Sequence, residues 1–388
     1  MVFLINFNDL FEIVVVYIHL DNSLNSLDLT NCENLKSLGY LFDGFSEGYF
    51  IVSGNRSLLK KLYECEDLSK SAREAALFAH SNYTMNQSFY DTIPYKIIIT
   101  ATSHEINNSR RTWILDIGNI KPGFLSKGIL ILAENINDSI FLNYTAEHYQ
   151  IKNGKKFPRL KISNHFQGGG GDTITGELKN QLDKKQEFIF CFKDSDRISP
   201  YCNISENAKK CNELIMTNSW LAFFSNTNCR EAENLIPEKI LEYTPHIPFE
   251  KLKNLRDLEK ESSLHFYSYI DIKQGLTKKF LRSLNKKSPK GKYWLSVINF
   301  LDEKKILKDC ELDHEGKCKI HTQLTEKNCV LLDAGNEKTL DHVINFLNEE
   351  SLHKSFEIIK NDPTNVEWLN IGETVFWLSC ALPKIRLS

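Results

Sequence analysis

Apolar positions along the chain fall into short continuous runs, separated by amphipathic stretches. Two of these runs end in acid. Residues 128–133 read Gly-Ile-Leu-Ile-Leu-Ala and are followed by Glu134 and, four residues on, Asp138. Residues 187–193 read Glu-Phe-Ile-Phe-Cys-Phe-Lys and are followed by Asp194, Ser195 and Asp196. A run of about 4–8 apolar residues bounded by turn signals predicts a buried strand. Strands are also predicted over residues 12–20, 48–53, 95–102 and 112–118, which are rich in β-branched and aromatic side chains. Residues 56–65 and 68–80 predict helices, with Ser69 or Ser71 placed to cap the second.

Lys121, Pro122 and Gly123 give a turn signal and a predicted domain boundary. Beyond it the alternation is regular. The strand at 128–133 precedes a helix over 138–149, a strand over 160–166 and four glycines at 168–171. A helix over 172–182 follows, with Asp172 suited to cap it, then a strand over 187–192 and a helix over 205–216. A strand over 220–225 and the segment 228–243 lead into a fourth helix. Strands alternating with helices predict an α/β fold with a central parallel sheet flanked by helices. Residues 246–388 read as mostly helical, with two helices over 338–359 and an apolar stretch at 368–382 suited to docking elsewhere in the chain. The predicted domains are 1–122, an α/β or α+β accessory domain of unassigned role; 123–245, the parallel-sheet domain; and 246–388, the helical region.

Composition changes this picture little. Of 388 residues, 41% are hydrophobic and 25% charged, which describes an ordinary globular chain. The formal net charge is -2, so contact with nucleic acid needs a local basic patch. One exists: Lys273, Lys278, Lys279, Arg282, Lys286 and Lys287 lie in a stretch that also holds Lys290 and Lys292. Lys and Arg clusters neutralise phosphates; the plain alternative is a solvated helix and loop. The first twenty residues contain Asn6, Asn8, Asp9 and Glu12 and read as folded structure, neither signal peptide nor membrane span. Cysteines within apolar runs, such as Cys191 and Cys380, point to a reducing, cytoplasmic location. Cys310, Cys318, His321 and Cys329, with His314 nearby, lack paired Cys-x2-Cys knuckles, so a structural Zn²⁺ is not expected.

The acids carry the candidate chemistry. Converging carboxylates bind Mg²⁺, with Mn²⁺ as a substitute, and the ion balances their repulsion. Adjacent strands lie ~4.8 Å apart, so Glu134, Asp194 and Asp196 can face one ion if their strands are neighbours. An Asp-x-Asp spacing suits two side chains leaving the same side of an extended segment. Asp138 is either a further metal carboxylate or a cap for the following helix. Glu233 either reaches the same sheet edge or is an ordinary helix-start carboxylate. Lys193 either steadies phosphate charge or turns to solvent. The four glycines lack the Gly-Lys-Ser/Thr ending of a Walker loop and read as a tight turn.

This order of elements resembles the TOPRIM domain: hydrophobic strand with Glu134 and Asp138, helix, strand, glycine turn, helix, and hydrophobic strand with Asp194-x-Asp196. It is closest to the nuclease-like branch in OLD-family and related phage-defence proteins. Residues 229–237, with Arg230, Glu231, Glu233 and Asn234, are similar to an Arg-Glu-x-Glu-Asn segment of that branch, and residues 269–275 are similar to a further segment. The resemblance covers about residues 127–245, with weaker support to 280. It implies a Mg²⁺-dependent nuclease cleaving DNA or RNA, with Glu134, Asp194 and Asp196 as metal ligands and Glu134 also as an acid or base. It further implies a role in bacterial antiviral defence beside a separate ATPase or sensor protein, and is compatible with a homo-oligomer. One departure is Asn135, where the family has glycine; Asn tolerates a left-handed backbone better than most residues. Two rival readings remain: an inactive TOPRIM-shaped adaptor in a defence complex, and a HAD-type phosphatase, disfavoured by Arg197-Ile198-Ser199 after the acid pair.

Overall fold

The computed structural model describes residues 17–93, 95–101, 112–156, 158–218, 220–308 and 329–385. The chain forms two compact units: Met1–Phe192 with Cys211–Ser225 and Leu369–Ser388, and Lys193–Lys210 with Asn226–Trp368. This differs from the boundaries at 122 and 245. The turn at Lys121 is no linker, because Ile120 and Phe124 on either side are buried, and the Ser37 hydroxyl donates to the Ile120 carbonyl.

The first unit begins with a fully parallel sheet of β1 (Tyr17–Leu20), β2 (Ile51–Gly54), β3 (Lys96–Thr100) and β4 (Thr112–Asp116), in the order β2-β1-β3-β4. Parallel neighbours need crossover connections, which settles the accessory region as α/β. The crossovers carry α1 (Cys32–Ser46), α2 (Arg56–Tyr63), α3 (Lys70–Ser81) and α4 (Tyr83–Thr92). Ser69 caps α3 by accepting from the Ala72 N–H. Helices α1 and α4 were not expected; in α1, Gly39 and Gly44 dilute the apolar pattern of Leu38, Leu41, Phe42 and Phe45.

The second sheet follows β5 (Ile129–Ala133), α5 (Ile136–Asn153), β6 (Lys161–Ile162), β7 (Asn164–Gly168), α6 (Ile174–Lys184), β8 (Ile189–Lys193), α7 (Glu206–Thr217) and β9 (Ala222–Asn226). Its order is β7-β5-β8-β9. β5 runs parallel to both neighbours, with Leu132 opposite Gln167 on β7 and Cys191 on β8. All residues of β5 and β8 are buried, as their unbroken apolar runs require. The predicted strand at 160–166 splits: β6 leaves this sheet and β7 joins it.

The second unit is mostly helical. It holds α8 (Glu238–Tyr243), α9 (Phe249–Ser262), β10 (Leu276–Thr277), α10 (Lys278–Ser283), α11 (Pro289–Glu303), β11 (Val330–Leu332), α12 (Thr339–Glu349) and α13 (Leu352–Ile359). β10 and β11 form a short antiparallel pair. Leu252, Leu255, Trp294, Val297, Val343 and Ile359 lie in its interior. α11 opens with Ser288 as cap and Pro289 in its first turn, where a missing N–H costs nothing.

The chain ends in α14 (Val366–Ser379) and β12 (Cys380–Ala381). The apolar stretch from 369 docks within the first unit. The Tyr149 hydroxyl of α5 donates to Glu373 at 2.7 Å, Trp377 Nε1 donates to Tyr149, and β12 pairs antiparallel with β6.

Candidate functional site

Glu134 follows β5 in the first unit, and the glycine turn shapes the backbone beside it. The Gly169 N–H donates to the Ala133 carbonyl at 2.6 Å, and the Gly171 N–H to the Glu134 carbonyl at 3.2 Å. Gly170 and Gly171 take left-handed φ values of 69° and 67°. A Cβ on Gly168 would lie 3.1 Å from the Ile136 nitrogen, so the turn passes close to the start of α5. Asp172 lies inside a single 3-10 turn, and Thr173 takes the cap position of α6 without a side-chain cap bond. The cap position expected for Asp172 therefore falls to Thr173.

Asn135 is extended, with φ -122° and ψ 154°, so its tolerance of left-handed backbone is not called on. It is the N-cap of α5 and accepts from the Asn137 N–H at 3.2 Å. Asp138 Oδ2 accepts from the Asn135 N–H at 2.9 Å, completing a reciprocal capping box. Asp138 thus serves the start of α5 from the third helical position rather than as the cap itself.

Asp194 and Asp196 belong to the second unit, and the residue between them fixes both. Ser195 is fully buried; its N–H donates to Thr227 Oγ1 at 2.9 Å and its hydroxyl donates to the Cys229 carbonyl. Asp194 Oδ1 accepts from the Ala232 N–H at 2.9 Å. The Asp196 N–H donates to the Arg230 carbonyl at 3.0 Å. Asp196 has φ 53°, so the segment is not the extended one that would send both acids to one side. Its carboxylate is exposed and lies 3.7 Å from Lys193 Nζ. Lys193 is only 3% exposed, so it does not turn to solvent.

The 229–237 segment meets the 267–273 segment here. Arg230 pairs with Asp271 at 2.7 Å, and its N–H donates to the Ser268 carbonyl. Asn234 Nδ2 donates to the Tyr267 and Ile270 carbonyls at 2.7 and 3.1 Å, and its Oδ1 accepts from the Glu231 N–H at 3.0 Å. The Ile272 N–H donates to Glu231 Oε1 at 2.7 Å. Lys273 Nζ lies 2.9 Å from Glu233 Oε1 and 3.3 Å from Glu231 Oε2. Burial, reinforced by the Glu233 charge, pushes the Glu231 pKa up to about 7. Burial works against the Lys273 charge, but Glu233 and Glu231, with Asp194 behind them, overcome it and raise its pKa.

Glu233 therefore sits in a buried ion-paired cluster, and Lys273 belongs to that cluster rather than to an open basic surface. Glu231, named above only as part of the Arg-Glu-x-Glu-Asn segment, joins them. No local spacing reports it, because Lys273 stands 42 residues further along the chain. The other cations lie on or near α10: Lys279, Arg282, Lys286 and Lys287 are exposed and Lys278 is half-buried.

The donors Glu134, Asp194 and Asp196 are all oxygen, the chemistry Mg²⁺ prefers. Among the described residues no three His, Cys, Asp or Glu side chains form a group spaced to hold a metal ion. Lysines supply the counter-charge as folded, Lys193 to Asp196 and Lys273 to Glu231 and Glu233. Cys310, His314, Cys318 and His321 lie outside the described residues; Cys329 is disulfide-bonded, which withholds its thiolate from any metal.

No family model, curated protein or solved structure matches this chain. Among the described residues no helix is long and apolar enough to cross a membrane.

Proposed function

We propose that the chain is a metal-dependent nuclease cleaving DNA or RNA phosphodiesters, with Glu134, Asp194 and Asp196 supplying the carboxylates. One observation carries this reading. β5 and β8 are adjacent parallel strands in register, and Glu134 and Asp194 are the residues that directly follow them. Ligands of open α/β sheets gather at the carboxyl ends of the strands. Mg²⁺ or Mn²⁺, once bound, would polarise the scissile phosphate and lower the pKa of the attacking water. The chain's own part is positional. Ala232 holds one Asp194 oxygen, Ser195 fixes the loop from inside, and Lys193 offers a buried ammonium beside Asp196. Burial and the Glu233 charge raise the Glu231 pKa, so it can hold a proton that an exposed carboxylate would release.

The rest of the proposal follows the resemblance: antiviral defence in a bacterial cytoplasm, beside a separate ATPase or sensor. The free thiols of Cys32, Cys65, Cys191, Cys202, Cys211, Cys229 and Cys380 fit a reducing location, while the Cys329 disulfide speaks against it.

A second reading is an adaptor of the same shape without catalysis. The lysine-balanced acids favour it, since Lys273 already neutralises the Glu231 and Glu233 pair. The deciding experiment incubates the full chain with plasmid DNA and total tRNA in Mg²⁺, Mn²⁺ or EDTA. Glu134→Gln and Asp194→Ala run alongside. Cleavage that needs metal and is abolished by either substitution supports the nuclease. Metal-dependent cleavage that survives both sinks the site assignment. Stable partner binding with no cleavage establishes the adaptor, and hydrolysis of phosphomonoesters alone the phosphatase.

A further inference from the structure

The second unit carries a ladder of aromatic rings running from the loop after Asp196 to the basic helix α10. Tyr201, on that loop, is 67% exposed, which is unusual for so large a ring. Its ring lies edge-on to Tyr293 at 6.3 Å. Tyr293 meets Trp294 at 5.6 Å, and Trp294 meets Phe280 of α10 at 5.1 Å. Trp294 Nε1 donates to the Ile198 carbonyl, which fastens the Tyr201 loop to α11. Phe280 stands between Lys279 and Arg282 in the sequence, so one packed cluster supports both the exposed ring and the cations.

Charge says what this face takes. Lys279, Lys286, Lys287, Lys290 and Lys292 are exposed, and none makes an ion pair among the described residues. The chain as a whole is slightly acidic, so this is a local concentration of free positive charge. The Tyr293 ring that Tyr201 rests against is itself buried, so the exposed ring stands on a packed base.

We propose that the Tyr201 face is a stacking platform for single-stranded nucleic acid, with the α10–α11 lysines tracking its phosphates. This rests on the nuclease reading and names the form of the substrate. An unstacked base offers a π-face to Tyr201, whereas a duplex hides its bases inside the stack. The rigid backing of Tyr293 and Trp294 holds the ring in place before binding, so less ordering is needed on contact.

The test is fluorescence anisotropy of the full chain, in EDTA, with labelled oligo(dT), oligo(U) and a mixed-sequence duplex. Single strands bind more tightly than the duplex. Tyr201→Ala loses about 5- to 100-fold of single-strand affinity, and Tyr201→Phe keeps it. Because Tyr201 is exposed, the thermal midpoint stays put. Lys286→Ser with Lys287→Ser flattens the salt dependence by about two charges. Equal affinity of Tyr201→Ala and the native chain overturns the platform, as does a preference for duplex. Binding of a polyglutamate peptide in place of any oligonucleotide also overturns it. EDTA separates this from the nuclease question. Tyr201-dependent binding without cleavage in Mg²⁺ keeps the platform and removes the nuclease. Metal-dependent cleavage with binding indifferent to Tyr201→Ala does the reverse.

Discussion

Lys273 Nζ lies 2.9 Å from Glu233 Oε1, and the Glu233 side chain is only 2% exposed. The same ammonium reaches Glu231 at 3.3 Å. Two carboxylates buried side by side cannot both ionise cheaply without such a cation. The lysine holds the 229–237 and 267–273 segments together through charge as well as through the Asn234 hydrogen bonds.

Removing that cation leaves two buried acids uncompensated. Lys273→Met is expected to cost about 3 kcal/mol, the lower end for breaking a buried pair, because the lysine itself is 37% exposed. Adding Glu231→Gln and Glu233→Gln removes the stranded charges and recovers most of the loss. Urea denaturation of the three proteins measures this. A triple variant no more stable than the single one would show that the lysine acts through packing, not charge.

Glu231 also makes stability depend on pH. Its folded pKa is about 7 against an ordinary value of 4.5, so the folded chain holds a proton that the unfolded chain has released. That contribution is complete below pH 4.5 and is lost as pH rises through 7. Glu231→Gln keeps the acceptor for the Ile272 N–H but no longer titrates. Its thermal midpoint is expected to fall less between pH 4.5 and 7.5 than that of the native chain. Parallel curves for the two proteins over that window would refute the assignment.

The strands of the parallel sheets were legible because β5 and β8 are unbroken apolar runs with turns at both ends. β6 and β7 were not separable, since nothing local tells Lys161 and Ile162 that their partner is Cys380 and Ala381. The acids at the strand ends were legible for the same reason as the strands. Their partners were not: Ala232 and Thr227 reach the acid loop from far along the chain. The extended geometry expected of Asp194-x-Asp196 fails because periodicity assumes an extended backbone, and Asp196 has left-handed φ beside the inward hydrogen bonds of Ser195. The residues at 121–123 show the converse failure, where a strong local turn signal lies between two buried side chains and divides nothing.

The capping roles of Asn135 and Asp138 can be read from stability alone. Asp138→Ala removes the carboxylate that accepts the Asn135 N–H, and is expected to cost about 1 kcal/mol. Asn135→Gly loses a side-chain cap where glycine is itself an acceptable cap, and is expected to cost only a few tenths of a kcal/mol. Because Asn135 is extended rather than left-handed, glycine brings no relief of strain to offset that loss. Denaturant midpoints of both variants in EDTA check this. An Asp138→Ala chain as stable as the native one would show that the capping contact contributes nothing.

The glycine turn offers a contrast between two physical causes at neighbouring positions. Gly171 has φ 67°, and a Cβ there would meet nothing within 4 Å. Gly171→Ala therefore bears only the left-handed backbone penalty, about 1–2 kcal/mol. A Cβ on Gly169 would lie 2.5 Å from Ile174 Cγ1, a buried side chain in the first turn of α6. Gly169→Ala must push that helix start away or give up the hydrogen bond from its own N–H to the Ala133 carbonyl. Overpacking of this kind costs about 1–3 kcal/mol. Shortening Ile174 to Val makes no room, because the atoms met are its Cγ1, Cβ and Cα. The two causes separate through asparagine, which tolerates left-handed backbone but carries the same Cβ. Gly171→Asn is thus expected to be more stable than Gly171→Ala, whereas Gly169→Asn gains nothing over Gly169→Ala. Urea midpoints of the four variants read the difference. Equal recovery at both positions would mean that the turn is held by neither cause separately.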